Sequence, residues 1–479
     1  MLFNSIDFLL FLPVVFALYW FVFRERRWQN LLVVVASYVF YGWWDWRFLL
    51  LIAFTSICSF ASGLLIEHFE GRRRRQQAVS AANITLNLAI LGVFKYYNFF
   101  VDNLDALLSS TFGYHLDWAT MEIILPVGIS FYTFQALSYT IDVYRRDIKA
   151  THDIVEFFAY ISFFPQLVAG PIERATRLLP QFQRSRVFDR AKAVDGCRQM
   201  LWGFLKKLVV ADNCAAIVND SWGDYQSLPG ISLFVLGVLF TLQIYCDFSG
   251  YSDIAIGCAR LFGFDLMRNF HFPYFSRSIP EFWRRWHISL TTWFRDYIYF
   301  PLGGSRCGKW KIIRNVYIVW AVSGLWHGAN WTFVCWGLYH GTLLAIYNIL
   351  GINTKYKHIV AFGHLLPNGR ETLQMALTFF LAVVGWIIFR AESMSQAIDY
   401  LYCMFTHPGG CSSDFLKWTA VGACLLLVEW LQRDKQHALQ FPDTRPFNHR
   451  WVRWGVYYLV LVIISGLAGS SQSFIYFQF

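Results

Sequence analysis

The sequence predicts an all-α polytopic integral membrane protein, and three observations carry that prediction. Of 479 residues, 56% are hydrophobic, 19% aromatic and only 15% charged, with a mean hydropathy of +0.39; an ordinary soluble domain is about 25% charged. Apolar runs recur from end to end and are long enough for the about 20 residues of helix that a hydrocarbon core of about 30 Å requires. The cations fall in short clusters between these runs, so the net charge of +10 reports topology and not a nucleic-acid partner.

The run Leu2 to Phe23 lacks a basic leader, with Asp7 its only charge, and reads as a retained anchor. Arg24, Arg26 and Arg27 follow it, and Arg72 to Arg75 follow two more spans, residues 28–43 and 46–66. Basic loops mark the cytoplasmic side, which puts the N-terminus outside. Spans over residues 83–108 and 121–143 flank the cation-free stretch Ser109 to Thr120, and Arg145, Arg146 and Lys149 return to the inside. Ile154 to Ala169 carries Pro165 and closes on Gly170 and Pro171, a pattern that suits a re-entrant hairpin enclosed by protein. Lys206 and Lys207 read as the inner flank of a span leaving by residue 218, and the next span returns near Arg260. Arg268 to Arg314, rich in Arg and aromatics, reads as interfacial and re-entrant helices. Spans over residues 315–333, 334–350, 372–389, 414–432 and 454–470 complete about 12 crossings, so that Ser471 to Phe479 is also expected outside. No soluble domain or trusted internal repeat interrupts the chain, so residues 1–479 read as a single membrane domain. The ten cysteines stand singly, without a C-x-x-C or a Cys/His cluster, and indicate neither disulfides nor a metal.

Ionisable groups inside membrane segments are costly and mark functional sites by default. Ser323 to Trp331 (SGLWHGANW) puts His327 near the middle of a span with no other charge, beside two small residues. An imidazole there can take a proton from an acceptor hydroxyl attacking an acyl carbonyl and return it to a leaving thiol. It also fits a hydrogen-bonded structural role between helices. Glu281 to Leu290 (EFWRRWHISL) alternates cations with tryptophans. It fits an interfacial helix, or a site in which Arg284 and Arg285, beside Trp286, meet a phosphate-bearing donor and His287 faces the same space as His327. Gln243 to Asp253 (QIYCDFSGYSD) holds Asp247 within a span, where it fits a helix-breaking cap with Ser249 and Gly250 or, as the favoured expectation, a structural pairing with an Arg of the second cluster. His340 is a third histidine in an apolar run and reads as packing. A G-x-S-x-G elbow, a P-loop and an H-x-x-x-x-D motif are all missing, so neither a serine nucleophile nor nucleotide hydrolysis has a motif behind it.

These clusters, with Ala36 to Tyr41 (ASYVFY), Leu125 to Phe131 (LPVGISF), Phe164 to Pro171 (FPQLVAGP) and Val384 to Arg390 (VGWIIFR), resemble the membrane-bound O-acyltransferase (MBOAT) family. The likeness covers nearly the whole chain and is greatest to the bacterial branch of alginate and peptidoglycan O-acetylation and teichoic acid D-alanylation. The resemblance implies a tunnel through which an acyl thioester enters from the cytoplasm. It also implies an essential role for His327 and a supporting one for His287. Around them Arg284, Arg285, Trp286, Asn330, Trp331 and Asp247 are the donor- or substrate-binding candidates, and no metal is expected. Ser473 to Phe479 either anchors the chain end as an aromatic belt or, as its similarity to other glycan O-acetylation subunits implies, presents Tyr476 as an acyl carrier.

The expected function is transfer of an acetyl group from acetyl-CoA, used as co-substrate with no bound cofactor, across the bacterial inner membrane to an extracytoplasmic glycan. Alginate-like exopolysaccharide and peptidoglycan are the two leading acceptors. The expected partners are a periplasmic O-acetyltransferase, other glycan pathway components and membrane lipids, with no nucleic acid. D-alanyl transfer to a wall polymer, and a transporter of acetylated sugar intermediates, are the alternatives. The transporter lacks the internal repeats that class would show.

Overall fold

A computed structural model of the chain describes residues 1–114, 123–168, 170–352, 356, 358–441 and 446–477. The second half of the cation-free stretch Ser109 to Thr120, the first two residues of the expected span over 121–143 and the last two residues of the aromatic C-terminal segment fall outside the described residues. Among the described residues every regular element is helical. They form two compact units, Met1–Arg190 with Ala259–Leu266, and Ala191–Cys258 with Met267–Phe479.

The first unit holds α1 (Ile6–Ala17), α2 (Arg26–Gly42), α3 (Arg47–His68), α4 (Arg73–Phe112), α5 (Ile129–Arg145), α6 (Ile154–Ser162), α7 (Phe164–Leu167) and α8 (Ala175–Phe182). Its interior is joined by a polar seam that hydropathy alone does not reveal. Gln76, Ser80, Asn83 and Asn87 recur every three or four residues on one buried face of α4. Asn83 Nδ2 donates to Thr140 Oγ1 at 2.8 Å and to Ser59 Oγ at 3.3 Å, while Gln76 Nε2 donates to the Ile66 carbonyl at 2.9 Å. Side-chain amides thus tie α4 to α3 and α5, a means of association that does not rely on apolar contrast with lipid. The expected re-entrant stretch is two short helices, α6 and α7, which break at Phe163 just ahead of Pro165, where the proline ring cannot continue the preceding hydrogen-bond ladder.

The second unit holds nearly all of α9 (Arg190–Phe204), a π-helical turn over Leu205–Ala211, α10 (Asp212–Trp222), α11 (Gly230–Leu261) up to Cys258, α12 (Ile279–Arg285) and α13 (Ile288–Phe294). It continues through α14 (Lys309–His327), α15 (Trp331–Ile349), α16 (Gly369–Arg390), α17 (Met394–Thr406), α18 (Ser413–Leu431) and α19 (Arg450–Leu467). A 3₁₀ turn, Ile475–Phe477, ends the described chain.

Five of the described helices, α3, α4, α11, α16 and α19, are long and apolar enough to cross a membrane by length and composition. That is fewer than the dozen crossings read from hydropathy. The expected spans over residues 315–333 and 334–350 are α14 and α15, displaced by several residues toward the N-terminus. His327 therefore stands at the C-terminal end of a helix and not in the middle of a span. The displacement has a local cause. Gly328 is extended, with φ −167° and ψ 156°, and the Asn330 side chain accepts from Thr332 N at 3.0 Å to start the next helix. The hairpin closes tightly because Gly324 meets the Phe333 carbonyl and Gly337 meets the Trp320 carbonyl, where a Cβ would collide with backbone.

Candidate active site

Three side chains far apart in sequence meet in the second unit. His327 projects from the end of α14, walled by Trp336 at 4.9 Å between ring centroids, Trp326 at 4.9 Å and Phe389 at 5.5 Å. His287 occupies the joint between α12 and α13 in a left-handed conformation, φ 42° and ψ 54°. A non-glycine residue there costs about 1–2 kcal/mol, and the surrounding backbone imposes it. The Trp286 N–H donates to the Phe282 carbonyl, His271 N–H to Arg285 O and Ile288 N–H to Asn269 O, each at 2.9 Å. Tyr476, in the C-terminal 3₁₀ turn, places its ring 5.7 Å from that of His327 and 6.4 Å from that of His287. Phe248 packs on both His287, at 4.7 Å, and Tyr476, at 4.6 Å.

Asn269 sets the orientation of His287. Its Oδ1 accepts from Ser289 Oγ at 2.9 Å and from the Ser289 N–H at 3.4 Å, so this atom is the carbonyl oxygen. His287 Nδ1, 3.0 Å from the same oxygen, must then be the donor. In the neutral ring this leaves Nε2 as a lone-pair acceptor, and this buried atom has no hydrogen-bond partner among the described residues. Asn269→Ala would strand the His287 and Ser289 donors in a buried place. Its expected cost is about 1–3 kcal/mol, read as a lowered melting temperature of the detergent-solubilised protein; an unchanged melting temperature would show that these bonds do not hold the joint.

The remaining expected residues divide. Trp286 is buried and packs on Trp386 at 4.7 Å, which in turn stacks with Trp336 beside His327. Asn330 serves as the α15 cap and donates to the Glu392 carbonyl at 2.9 Å, and Trp331 is exposed. Arg284 is exposed, whereas Arg285 bonds Glu281 at 2.8 Å. His340 lies among Trp283, Trp320 and Trp336, as packing would have it, and its Nδ1 accepts from Trp283 Nε1 at 3.3 Å.

Asp247 departs from the expected pairing with an Arg of the second cluster. Arg285 is already neutralised by Glu281 one helical turn away, and the partner of Asp247 is Lys207 at 2.8 Å. Lys206 and Lys207 are likewise not a loop flank. Both are buried in the π-helical turn, Lys206 against Asp253 and Glu429, and Lys207 against Asp212 and Asp247. A buried cation persists only with such partners. Lysines at the edge of an apolar run in sequence look the same whether they face a cytoplasmic loop or a buried carboxylate.

The profile of the MBOAT, membrane-bound O-acyltransferase, family matches residues 38–364, more than half of the chain. The chain belongs to this family. It is thus a multi-pass membrane O-acyltransferase. It is 44% identical over 409 residues to the probable alginate O-acetylase AlgI of Pseudomonas aeruginosa, covering 85% of this chain and 75% of the relative. The corresponding protein of Pseudomonas putida is 40% identical across the whole of both chains. The peptidoglycan O-acetyltransferase of Helicobacter pylori is 31% identical over 84% of this chain and 79% of its own.

Proposed function

We propose that this MBOAT protein moves an acetyl group from acetyl-CoA on the cytoplasmic side of the bacterial inner membrane to an extracytoplasmic glycan, with Tyr476 as the intermediate carrier. The observation that supports this reading is the position of the Tyr476 ring beside both histidines. In the first step the phenol oxygen attacks the thioester carbonyl, a carbon–oxygen bond forms and the carbon–sulfur bond breaks. His327 accepts the phenolic proton and returns it to the departing thiolate. His287, with its unbonded Nε2, supports the same phenol. In the second step the aryl ester passes its acetyl to a glycan hydroxyl, through a periplasmic partner transferase. Dividing the transfer in two replaces one difficult trans-membrane step by two easier ones. Both termini are assigned to the extracytoplasmic side, where the carrier meets the partner. An alginate-like exopolysaccharide is the first acceptor to test, because the relatives named for alginate acetylation share 40–44% identity with this chain, and peptidoglycan is the second.

Peptide mass spectrometry after incubation with acetyl-labelled acetyl-CoA tests the reading. Label is expected on Tyr476. Wild-type protein that consumes the donor at its normal rate while its C-terminal peptide stays unlabelled would remove the carrier.

A further inference from the structure

The segment that bears Tyr476 is held by its main chain. Asn213 Nδ2 donates to the Leu467 carbonyl at 2.9 Å, and the Gly469 N–H donates to Leu208 O at 3.0 Å. Lys207 Nζ donates to Gln472 O at 3.0 Å, and the Ile475 N–H donates to Asp247 Oδ2 at 2.7 Å. These contacts recur down the segment as far as Ile475, the residue before Tyr476. Beside them Phe474 and Ile475 are fully buried, Phe474 against Tyr251 at 4.5 Å.

Two of the buried charged groups at the centre make hydrogen bonds with the segment's main chain. Lys207 pairs as an ion with Asp212 at 2.8 Å and with Asp247 at 2.8 Å, and its ammonium donates a hydrogen bond to the Gln472 carbonyl. Asp247 spends one oxygen on Lys207 and the other on Ile475. Withdrawing the segment would leave a buried donor and a buried acceptor without partners, which is costly at this depth. Asp247 is also next in sequence to Phe248, the ring that touches both Tyr476 and His287. The grip on residue 475 and the seat of residue 476 are thus two consecutive side chains of one helix, and the register of the segment follows from them.

We propose that Lys207 and Asp247 are positioning residues, forming a clamp that grips the C-terminal segment by its backbone and sets the Tyr476 phenol at His327 and His287. The clamp rests on the carrier reading for its purpose and on the hydrogen bonds alone for its existence. Because both bonds go to main-chain atoms, the clamp recognises the course of the segment, and the side chain at position 476 remains available for chemistry.

The test removes the bond without disturbing the buried charges. Ile475→Pro deletes the N–H that Asp247 accepts, and proline suits the first position of a helical turn; Ile475→Ala keeps the N–H and loses only side chain. Amide hydrogen exchange of the C-terminal peptide is followed by mass spectrometry in full-length protein carrying His327→Ala, so that turnover plays no part. Protection is expected in the parent and with Ile475→Ala, and is lost with Ile475→Pro and weakened with Asp247→Asn, while α11 exchanges as before. In the active background Ile475→Pro is expected to slow acylation of Tyr476 by about 10- to 100-fold, the size of one charge-assisted hydrogen bond, at unchanged KM for acetyl-CoA. A peptide unprotected in the parent, or equally protected with Ile475→Pro, overturns the clamp. Exchange that responds as expected in a protein whose Tyr476 never acquires acetyl supports the clamp and removes the carrier.

Discussion

His327→Ala is expected to lower kcat for acetyl transfer by about 10²- to 10⁴-fold, the contribution typical of a positioned general base. The KM for acetyl-CoA should change little, because the ring's neighbours are the aromatic side chains Trp326, Trp336, Phe389 and Tyr476. The imidazole is nearly buried at the end of α14, so the substitution also opens a small void. A melting curve in detergent separates lost packing from lost chemistry. Donor consumption measured against that control decides the matter: a folded His327→Ala protein with kcat within threefold of wild type would exclude the proton-transfer role.

Tyr476→Phe is expected to reduce acetylation of the polymer in cells to the level of a strain without the enzyme. The substitution removes one oxygen and keeps the ring, so the contacts with Phe248 at 4.6 Å and Phe474 at 5.7 Å persist and the segment stays docked. Loss of function without loss of protein, read as acetyl content of the polymer against the amount of chain in the membrane, therefore isolates the hydroxyl. A belt of aromatic side chains that merely anchored the chain end would be served as well by phenylalanine as by tyrosine. Acetyl content equal to wild type would thus return the segment to a structural role. Residual donor hydrolysis in this variant is compatible with the carrier, since water can take the place of the missing phenol.

Much of the class was legible in the chain. High hydropathy, recurrent apolar runs and clustered cations exclude a soluble fold because each is a local property of contiguous residues. The SGLWHGANW and EFWRRWHISL motifs likewise pointed to His327 and His287. Helix ends were less legible. Asn330 reads as one more residue of a span, yet as a cap it ends the run and moves His327 to the end of α14.

What the sequence by itself determined is the membrane-helical class and the family, carried by composition and short motifs, which also singled out His327 and His287 as candidates. Only the tertiary structure decided that Tyr476 lies beside both His287 and His327, that Asn269 orients His287, and that Asp247 belongs to Lys207 and not to an arginine. The reason is physical. Hydropathy records what a residue type prefers on average, whereas a buried charge or an αL histidine is tolerated only through partners brought from distant parts of the chain, and those partners exist once the helices have packed.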